Sequence, residues 1–487
     1  MKKVITILAL IPTLCFGQWN QLGADIDGQA ANEQSGTAIS LNAAGTILIN
    51  SAPRAIDAGI MKGKARVFEW NGTSWLQKGS DLVGTSQGDV FGYAVSLNSN
   101  GNIIAVGAPG FNNPSSPPGY TRVYEWNGSN YIQKGTDIIG EANGNSAGTA
   151  VSLSADGNTI AIGAGSNSNA NGSFAGHCRV FTWNGSSWVQ KGADIDGEAA
   201  QDFFGNAVGI DSSGNIVAIG AAGNDGAGST FGHVRVYEWN GTSWVQKGAD
   251  IDGENSVKSF GSTLSLSGDG STFIASGNSG SNGSAGSIKM FTWNGTNWAQ
   301  KGLTLSGVNG SDFFGTSVDI NGNGSMIIAG SIGTTGYAKV FEFIGSAWIQ
   351  QGADLVGEAN FDQFGRSSSI NDNGSIVAAG TAGNDGNGTS AGHVRVFENS
   401  EGLSVVNIDF EDKLIAIPNP AADFIKIHSK RMITSYNIVS LDGKLVKQKE
   451  GLNLREFPID ILDLTSGIYI LTVQTQGGKS SLKIIKQ

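Results

Sequence analysis

The chain has 487 residues, of which 39% are hydrophobic, 8% aromatic and 73 are glycine, and its formal net charge is −11. That length exceeds what one hydrophobic core supports, so several domains or a repeat array are expected, while regularly placed aromatic and β-branched residues exclude a disordered tract. The charge is uneven: residues 18–413 hold 18 Lys and Arg against 35 Asp and Glu, whereas 414–487 hold 10 against 6, and so acidic a body excludes nucleic acid and anionic membrane as partners by repulsion.

In chain order, Met1-Lys2-Lys3, the apolar run from Val4 to Leu14 and the small Gly17 form the charged, apolar and cleavable parts of a secretory signal over residues 1–17. The run is too short to span a bilayer and no later apolar stretch is long enough, so the mature chain is expected without a transmembrane segment. Cys15 follows the bulky Leu14, which argues against a lipoprotein signal. Cleavage leaves Cys178 as the only cysteine, so no intramolecular disulfide can form. Because it aligns with Val234 and Val394, it is predicted to be a small core residue.

From residue 18 to about 400 a unit of about 50 to 57 residues recurs, as in solenoids and propellers. Its marker is Trp70-Asn71-Gly72-Thr73-Ser74-Trp75, repeated from Trp126, Trp183, Trp239 and Trp293, with a worn copy at Phe343. Each unit predicts four strands: in the second, Phe91 to Leu97, Ile103 to Ala108, Thr121 to Trp126 and Tyr131 to Ile139, all supported by alternation and Gly/Asn punctuation. Asn-Gly marks the corner between third and fourth strands as a primed hairpin turn in which both residues tolerate positive φ, and the flanking tryptophans are predicted to pack across it. First-strand phrases begin near Ser35, Phe91, Ser146, Phe204, Phe260, Phe314 and Phe364. Seven four-stranded sheets predict an all-β, seven-bladed β-propeller.

The seventh unit stops at Val394 to Glu398 without a tryptophan-flanked fourth strand. The missing piece lies at the other end, where Trp19 to Gly28 aligns with Trp188 to Gly197. This segment is predicted to close the ring and hide an open edge.

Phe204-Gly205, Ile104-Ala105-Val106-Gly107-Ala108-Pro109 and Gly232-His233-Val234-Arg235-Val236-Tyr237 together resemble the FG-GAP repeats of integrin-α-type propellers, over about residues 18–400. That family often carries an Asp-rich Ca²⁺ loop between first and second strands. Here the equivalent segments, Asn98 to Asn102 and Asp211 to Asn215, lack the carboxylates a hard cation requires, so those calcium sites are not carried over.

The candidate binding chemistry is the recurring Asp-x-Asp-Gly-Glu, with Asp194, Asp196 and Glu198, then Asp250, Asp252 and Glu254, and partial copies at Asp25/Asp27, Asp137/Glu141 and Asp354/Glu358. These six carboxylates are candidate Ca²⁺ ligands, set against a solvated Asp-Gly turn duplicated with the repeat; no other cofactor is expected. If the first strand descends, this fourth-to-first loop shares the top with the second-to-third loops, such as Gly110 to Gly119, Gly165 to Gly176 and Gly223 to Gly232, where binding sites are usually built. His177, His233 and His393 share the slot Gly-His-x-Arg-Val in different units, so they cannot meet at one metal and are expected to be structural. No nucleophile, base and acid set is recognisable. Asp202, Asp312 and Asp362 precede Phe-Gly or Phe-Gly-like phrases and recur, which marks them as structural.

After a linker at 401–413, residues 414–487 change character and predict a small β-sandwich. Its phrases are Pro418-Asn419-Pro420-Ala421, Asp442-Gly443-Lys444-Leu445-Val446, Gly467-Ile468-Tyr469-Ile470-Leu471 and Lys483-Ile484-Ile485-Lys486. They are similar to the type A C-terminal sorting domain of the type IX secretion system of Gram-negative bacteria, with Pro418, Asn419, Pro420, Gly443, Lys444, Gly467, Tyr469, Lys483 and Lys486 as the motif positions. The resemblance implies recognition by that secretion machinery and release or attachment at the outer cell surface. The expected function is a secreted or surface-held propeller that binds a protein or glycan. Two alternatives stand beside it, a polysaccharide-active enzyme and a passive surface-layer spacer.

Overall fold

The computed structural model describes residues 18–400, except 112–116, 227, 229, 255–256 and 278–284, and residues 415–486, except 418–420, 422, 441–443 and 476–477. The expected signal segment, the linker, and Pro418, Asn419, Pro420 and Gly443 lie outside the described residues. The chain divides into two compact units, Met1–Ser400 and Glu401–Gln487.

In the first unit the described strands form seven antiparallel five-stranded sheets and one two-residue hairpin, Ile56–Asp57 with Ile60–Met61. The second sheet shows the pattern, with Ala94–Leu97, Ile103–Ala108 and Tyr120–Trp126 in order, then Tyr131–Gln133 and Ile138–Ile139, both paired with Tyr120–Trp126. The second strands are buried at nearly every position. They are covered on both faces, which is why they read as continuous apolar runs in place of alternating ones.

The predicted continuous fourth strand is in fact broken in two. At Gly135 the backbone turns left-handed (φ 77°), and a Cβ there would sit 2.8 Å from the Trp183 ring and 3.1 Å from Trp188. The break makes room for the next sheet's tryptophans, and only glycine fits. Through it, Trp188 Nε1 donates to Lys134 O at 2.8 Å. The same bond runs from Trp244 to Lys191, Trp298 to Lys247, Trp348 to Lys301 and Trp75 to Leu22, at 2.7–2.9 Å. Each contributes on the order of 1 kcal/mol. Lys134, Lys191 and Lys247 also stack over Trp183, Trp239 and Trp293 at 5.1–5.3 Å. In the second sheet Tyr131 replaces the tryptophan, and its hydroxyl donates within its own sheet to Gly101 O.

The N-terminal segment fills the seventh sheet. Gln18–Gln21 pairs antiparallel with His393–Ser400, placing Trp19 opposite Asn399, and Ile26–Asp27 pairs with Val394 and His393. Trp19 is buried and donates to Gln351 O of the sixth sheet, while Leu22 O accepts the Trp75 bond of the first. First strands contact one another from sheet to sheet in a closed cycle, the seventh returning to the first. Their middle residues carry a belt of side-chain bonds. Ser40, Ser96 and Ser152 Oγ accept from Leu97, Leu153 and Ile210 N at 3.1–3.2 Å, and Ser369 Oγ accepts from Leu41 N. At the equivalent position in the sixth sheet stands Asp319.

The Trp-Asn-Gly corner is also not a two-residue primed turn. Trp70 pairs with Trp75, Gly72 alone has positive φ, and Asn71 Oδ1 accepts from the N–H groups of Thr73 and Ser74 and from the Thr73 hydroxyl at 2.9 Å. Asparagine acts through its side chain as an Asx turn, which explains why Thr or Ser follows Asn-Gly in repeat after repeat.

The second unit, in place of two separate sheets, is one five-stranded sheet built on Phe424–Ser440 and Leu445–Asp460, completed by Ile415–Ile417, Gly467–Thr475 and Gly478–Lys486. Register shifts between His428 and Ile433, and between Ile433 and Ser435, bend the long strands, as bulges do. Apolar residues from before and after the bend, among them Ile425, Ile427, Ile438, Phe457 and Leu471, then share one core.

Candidate functional site

In every sheet of the first unit the second-to-third and last-to-first connections emerge at the same end, called here the upper end. The third strand begins there. Its first residue is Lys64, Tyr120, His177, His233, Ser287, Tyr337 or His393, and its third is always a cation: Arg66, Arg122, Arg179, Arg235, Lys289, Lys339 or Arg395. The two lie on one face because strand side chains alternate. Several of these cations reach the loop that leads into their sheet, whereas Lys339 pairs with Asp354 of its own sheet. Arg66 binds Glu33 through two nitrogens at 2.8 and 3.1 Å with both side chains buried, and Arg235 lies 4.3 Å over the Phe204 ring.

The three histidines are likewise surrounded by carboxylates from two sources. Each meets a Glu from the loop entering its sheet and an Asp from the segment before its last short strand, giving Glu141–His177–Asp194, Glu198–His233–Asp250 and Glu358–His393–Asp25. In each group the three potential ligand atoms lie within 4.8 Å of one another. His177 Nδ1 is 3.6 Å from both Glu141 Oε2 and Asp194 Oδ2, His233 Nδ1 is 3.8 Å from Asp250 Oδ2, and His393 Nδ1 is 3.6 Å from Asp25 Oδ2. The third group is completed by the N-terminal segment. All three imidazoles are buried, whereas the glutamates are exposed.

Burial, with the neighbouring arginine, holds His177 and His233 down at about 4 against the partial pull of the Asp carboxylates, and burial lowers His393 too. Glu141 is pushed above the usual carboxylate range by burial and by Asp194. At neutral pH these are therefore neutral imidazoles facing closely spaced carboxylates.

The Asp-x-Asp-Gly-Glu candidates do not close on themselves as a single loop site. Asp194 faces His177, Asp196 accepts from Asn169 Nδ2 at 3.0 Å, and Glu198 reaches forward to Arg235 at 3.2 Å. In the next copy Asp250 faces His233 and accepts from Gln246 at 2.6 Å, Glu254 pairs with Lys289 at 2.5 Å, and Asp252 is exposed. One motif thus serves two successive sheets. Asp202, Asp312 and Asp362 each accept two loop N–H groups, such as those of Glu198 and Ala199 on Asp202, so they fix loop shape. Cys178 is fully buried and its thiol is raised to about 12, which leaves no thiolate for chemistry.

Asp319 was not singled out in the sequence. It faces a cavity lined by first-strand residues of all seven sheets, where burial raises its pKa, and both its oxygens are engaged: Oδ1 by Ser265 Oγ at 2.7 Å, and Oδ2 by Ser369 Oγ and Ile370 N at 3.1 and 2.9 Å. The histidine groups were missed because convergence was sought among the three histidines. The available signal was the pairing of each Gly-His-x-Arg-Val with a Glu upstream and, in two of the three cases, an Asp downstream at a fixed separation.

In the second unit Gly467 opens a strand, Tyr469 is buried with its hydroxyl donating to Thr465 O at 2.8 Å, Lys483 and Lys486 lie on the last strand opposite Ile470 and Gly467, and Lys444 O accepts from Ser440 N at 2.9 Å. Residues 416–487 match the secretion system C-terminal sorting domain family. The tail marks the chain for export by the type IX secretion system, to secretion or cell-surface attachment. No curated protein matches the chain, and no helix among the described residues is long and apolar enough to cross a membrane.

Proposed function

We propose that residues 18–400 form a closed seven-bladed β-propeller of FG-GAP-like kind, exported to the outer cell surface of a Gram-negative bacterium, and that its upper end binds a protein or glycan without catalysing a reaction. The observation that carries this reading is where exposed aromatic residues lie. Tyr93, Phe111, Phe174 and Phe361 are all solvent-exposed and all belong to upper-end connections, as do the exposed Ile56, Ile60 and Val308. Exposed aliphatic residues also lie elsewhere on this unit, among them Leu76, Ile132, Leu303 and Ile344, but its exposed phenylalanines and tyrosine gather at the upper end. Aromatic groups gathered in this way have the character of an interaction surface, and loops on a rigid scaffold are where such surfaces are built.

Beside Phe361, at 80% exposed, opens a cavity of about 510 Å³ with Asn360, Asp362, Asn384 and Asp385 on its walls. An aromatic ring beside amides and carboxylates suits a sugar or a polar peptide. The engaged oxygens of Asp319 support a structural role for the one acid that interrupts the axial belt. The closed cycle of first strands and the two-sided anchoring of the N-terminal segment, through Trp19 and Leu22, support the ring. The test is binding of the full chain to glycan and protein arrays, with Phe174→Ser and Phe361→Ser variants compared. Loss of signal in the variants supports the upper end; signal unchanged in both counts against it, and no binding at all favours a passive spacer.

A further inference from the structure

The Glu141–His177–Asp194 junction differs from its two sister junctions. His177 is 1% exposed, and its Nδ1 has no hydrogen-bond partner although it points between two carboxylate oxygens, each 3.6 Å away. That separation is too long for a hydrogen bond. Leaving a buried nitrogen without a partner is unfavourable, so the arrangement holds a polar atom unsatisfied where it is aimed. A second atom shares the condition: Asn167 Oδ1 is buried without a partner, while the same amide reaches Glu141 Oε2 through Nδ2 at 3.5 Å.

At the sister junctions the unpartnered buried nitrogen is Nε2 of His233 and of His393, not the Nδ1 that faces the carboxylate, and at the His233 junction Arg235 Nη1 holds Glu198 at 3.2 Å, against 4.0 Å for Arg179 and Glu141.

We propose that Glu141, His177 and Asp194 form a binding site for a divalent transition-metal ion of the zinc class. One imidazole nitrogen and two carboxylate oxygens are a zinc-type donor set, with water at the remaining position on the exposed Glu141 side. Ligand atoms at about 2.0–2.1 Å from a tetrahedral ion lie roughly 3.3–3.5 Å apart, close to the 3.6 Å observed. Ca²⁺, which takes six to eight oxygens and no imidazole, does not suit this donor set. The nearby charges are the two carboxylates, Asp196 beside Asp194, and Arg179 as the opposing cation, so the junction carries the negative excess that a dication neutralises. A bound ion would tie the loop entering the third sheet to that sheet's third strand and last segment, beneath the connection that carries Phe174.

The test is Co²⁺ titration of the metal-free full chain, read by visible d–d absorption, followed by competition with Zn²⁺ and Ca²⁺. Wild type is expected to show one tetrahedral-type spectrum that Zn²⁺ abolishes and Ca²⁺ leaves. His177→Ala is expected to lose it, His233→Ala to keep it, and Glu141→Gln to weaken Co²⁺ affinity at least tenfold. Glu141 is exposed, so its variant reports on the site even if His177→Ala fails to fold. Absence of a spectrum in wild type, its persistence in His177→Ala, or unchanged affinity in Glu141→Gln would overturn the proposal.

Discussion

The two units of this chain use β-structure in opposite ways. Residues 18–400 repeat one short rule, with strands of two to eight residues, a cation at the third position of every third strand, and, at six of the junctions, a glycine that admits the neighbour's indole. Residues 415–486 repeat nothing and bend two strands of 17 and 16 residues around a single core. The repeated unit states its architecture openly and its ligand not at all, because duplicated positions carry packing. The singular unit matches a family of known purpose. Repetition reveals structure, and departure from repetition reveals function.

The comparison breaks first at the pairing of the N-terminal segment with His393–Ser400. Removing residues 18–28 from the exported chain strips the seventh sheet of its outer strand, and exposed edges aggregate; light scattering should show association and calorimetry a large loss of melting temperature. Trp19→Ala alone should cost about 3–5 kcal/mol, the usual range for a buried tryptophan. A monomeric deletion variant with unchanged melting would refute the join.

Acid should act on the repeated unit next. His177 and His233 have folded pKa values of about 4, below the unfolded value of about 6.5. The unfolded chain therefore takes up the proton first, and each group's contribution is complete above about pH 6.5 and is lost as pH falls towards 4. The ceiling is about 3 kcal/mol apiece. Denaturant midpoints measured from pH 7 to 4.5 should fall in wild type and fall less in His233→Gln; parallel curves would remove the buried neutral imidazole from the account.

Two substitutions that each remove one hydrogen bond separate the units. Trp244→Phe removes one indole bond between successive sheets, about 1 kcal/mol, together with part of the packed ring, so at least that loss should be seen in the body's transition. Tyr469→Phe removes the bond to Thr465 and should cost about the same in the tail's transition, leaving the body unmoved. Coupled shifts would show that the two units do not unfold independently. The smallest effect is expected at Asp319. Because burial raises its pKa, ionisation opposes folding as pH rises above the unfolded value, so Asp319→Asn should raise the melting temperature slightly at pH 7 and not at pH 4.

Much of this was legible in the residues. The seven first-strand phrases, the displaced Trp19 segment and the tail phrases each depend on local pattern, which a sequence displays directly. Other features depend on what the next sheet brings. Gly135 looked like punctuation inside a strand until Trp183 and Trp188 lay against it, and Asn71 looked like a residue of positive φ when its side chain was making the turn. His177 looked isolated because Glu141 and Asp194 sit on either side of it in the chain and meet it only across the entering loop. Asp319 was invisible because a single Ser-to-Asp change along a first strand has no meaning until the first strands of neighbouring sheets lie side by side.

Pairing Gln18 with Ser400 has a consequence in time. The first described residue of this unit waits for its last before either finds its hydrogen bonds, so six sheets can assemble in order from the chain as it emerges but the seventh cannot. A contact spanning nearly the whole unit is among the slowest kinds to form. Until it does, the strand His393–Ser400 remains an uncovered edge, and the residues that follow it are those leading to the sorting tail. A chain built this way cannot complete its seventh sheet until residue 400 has been made.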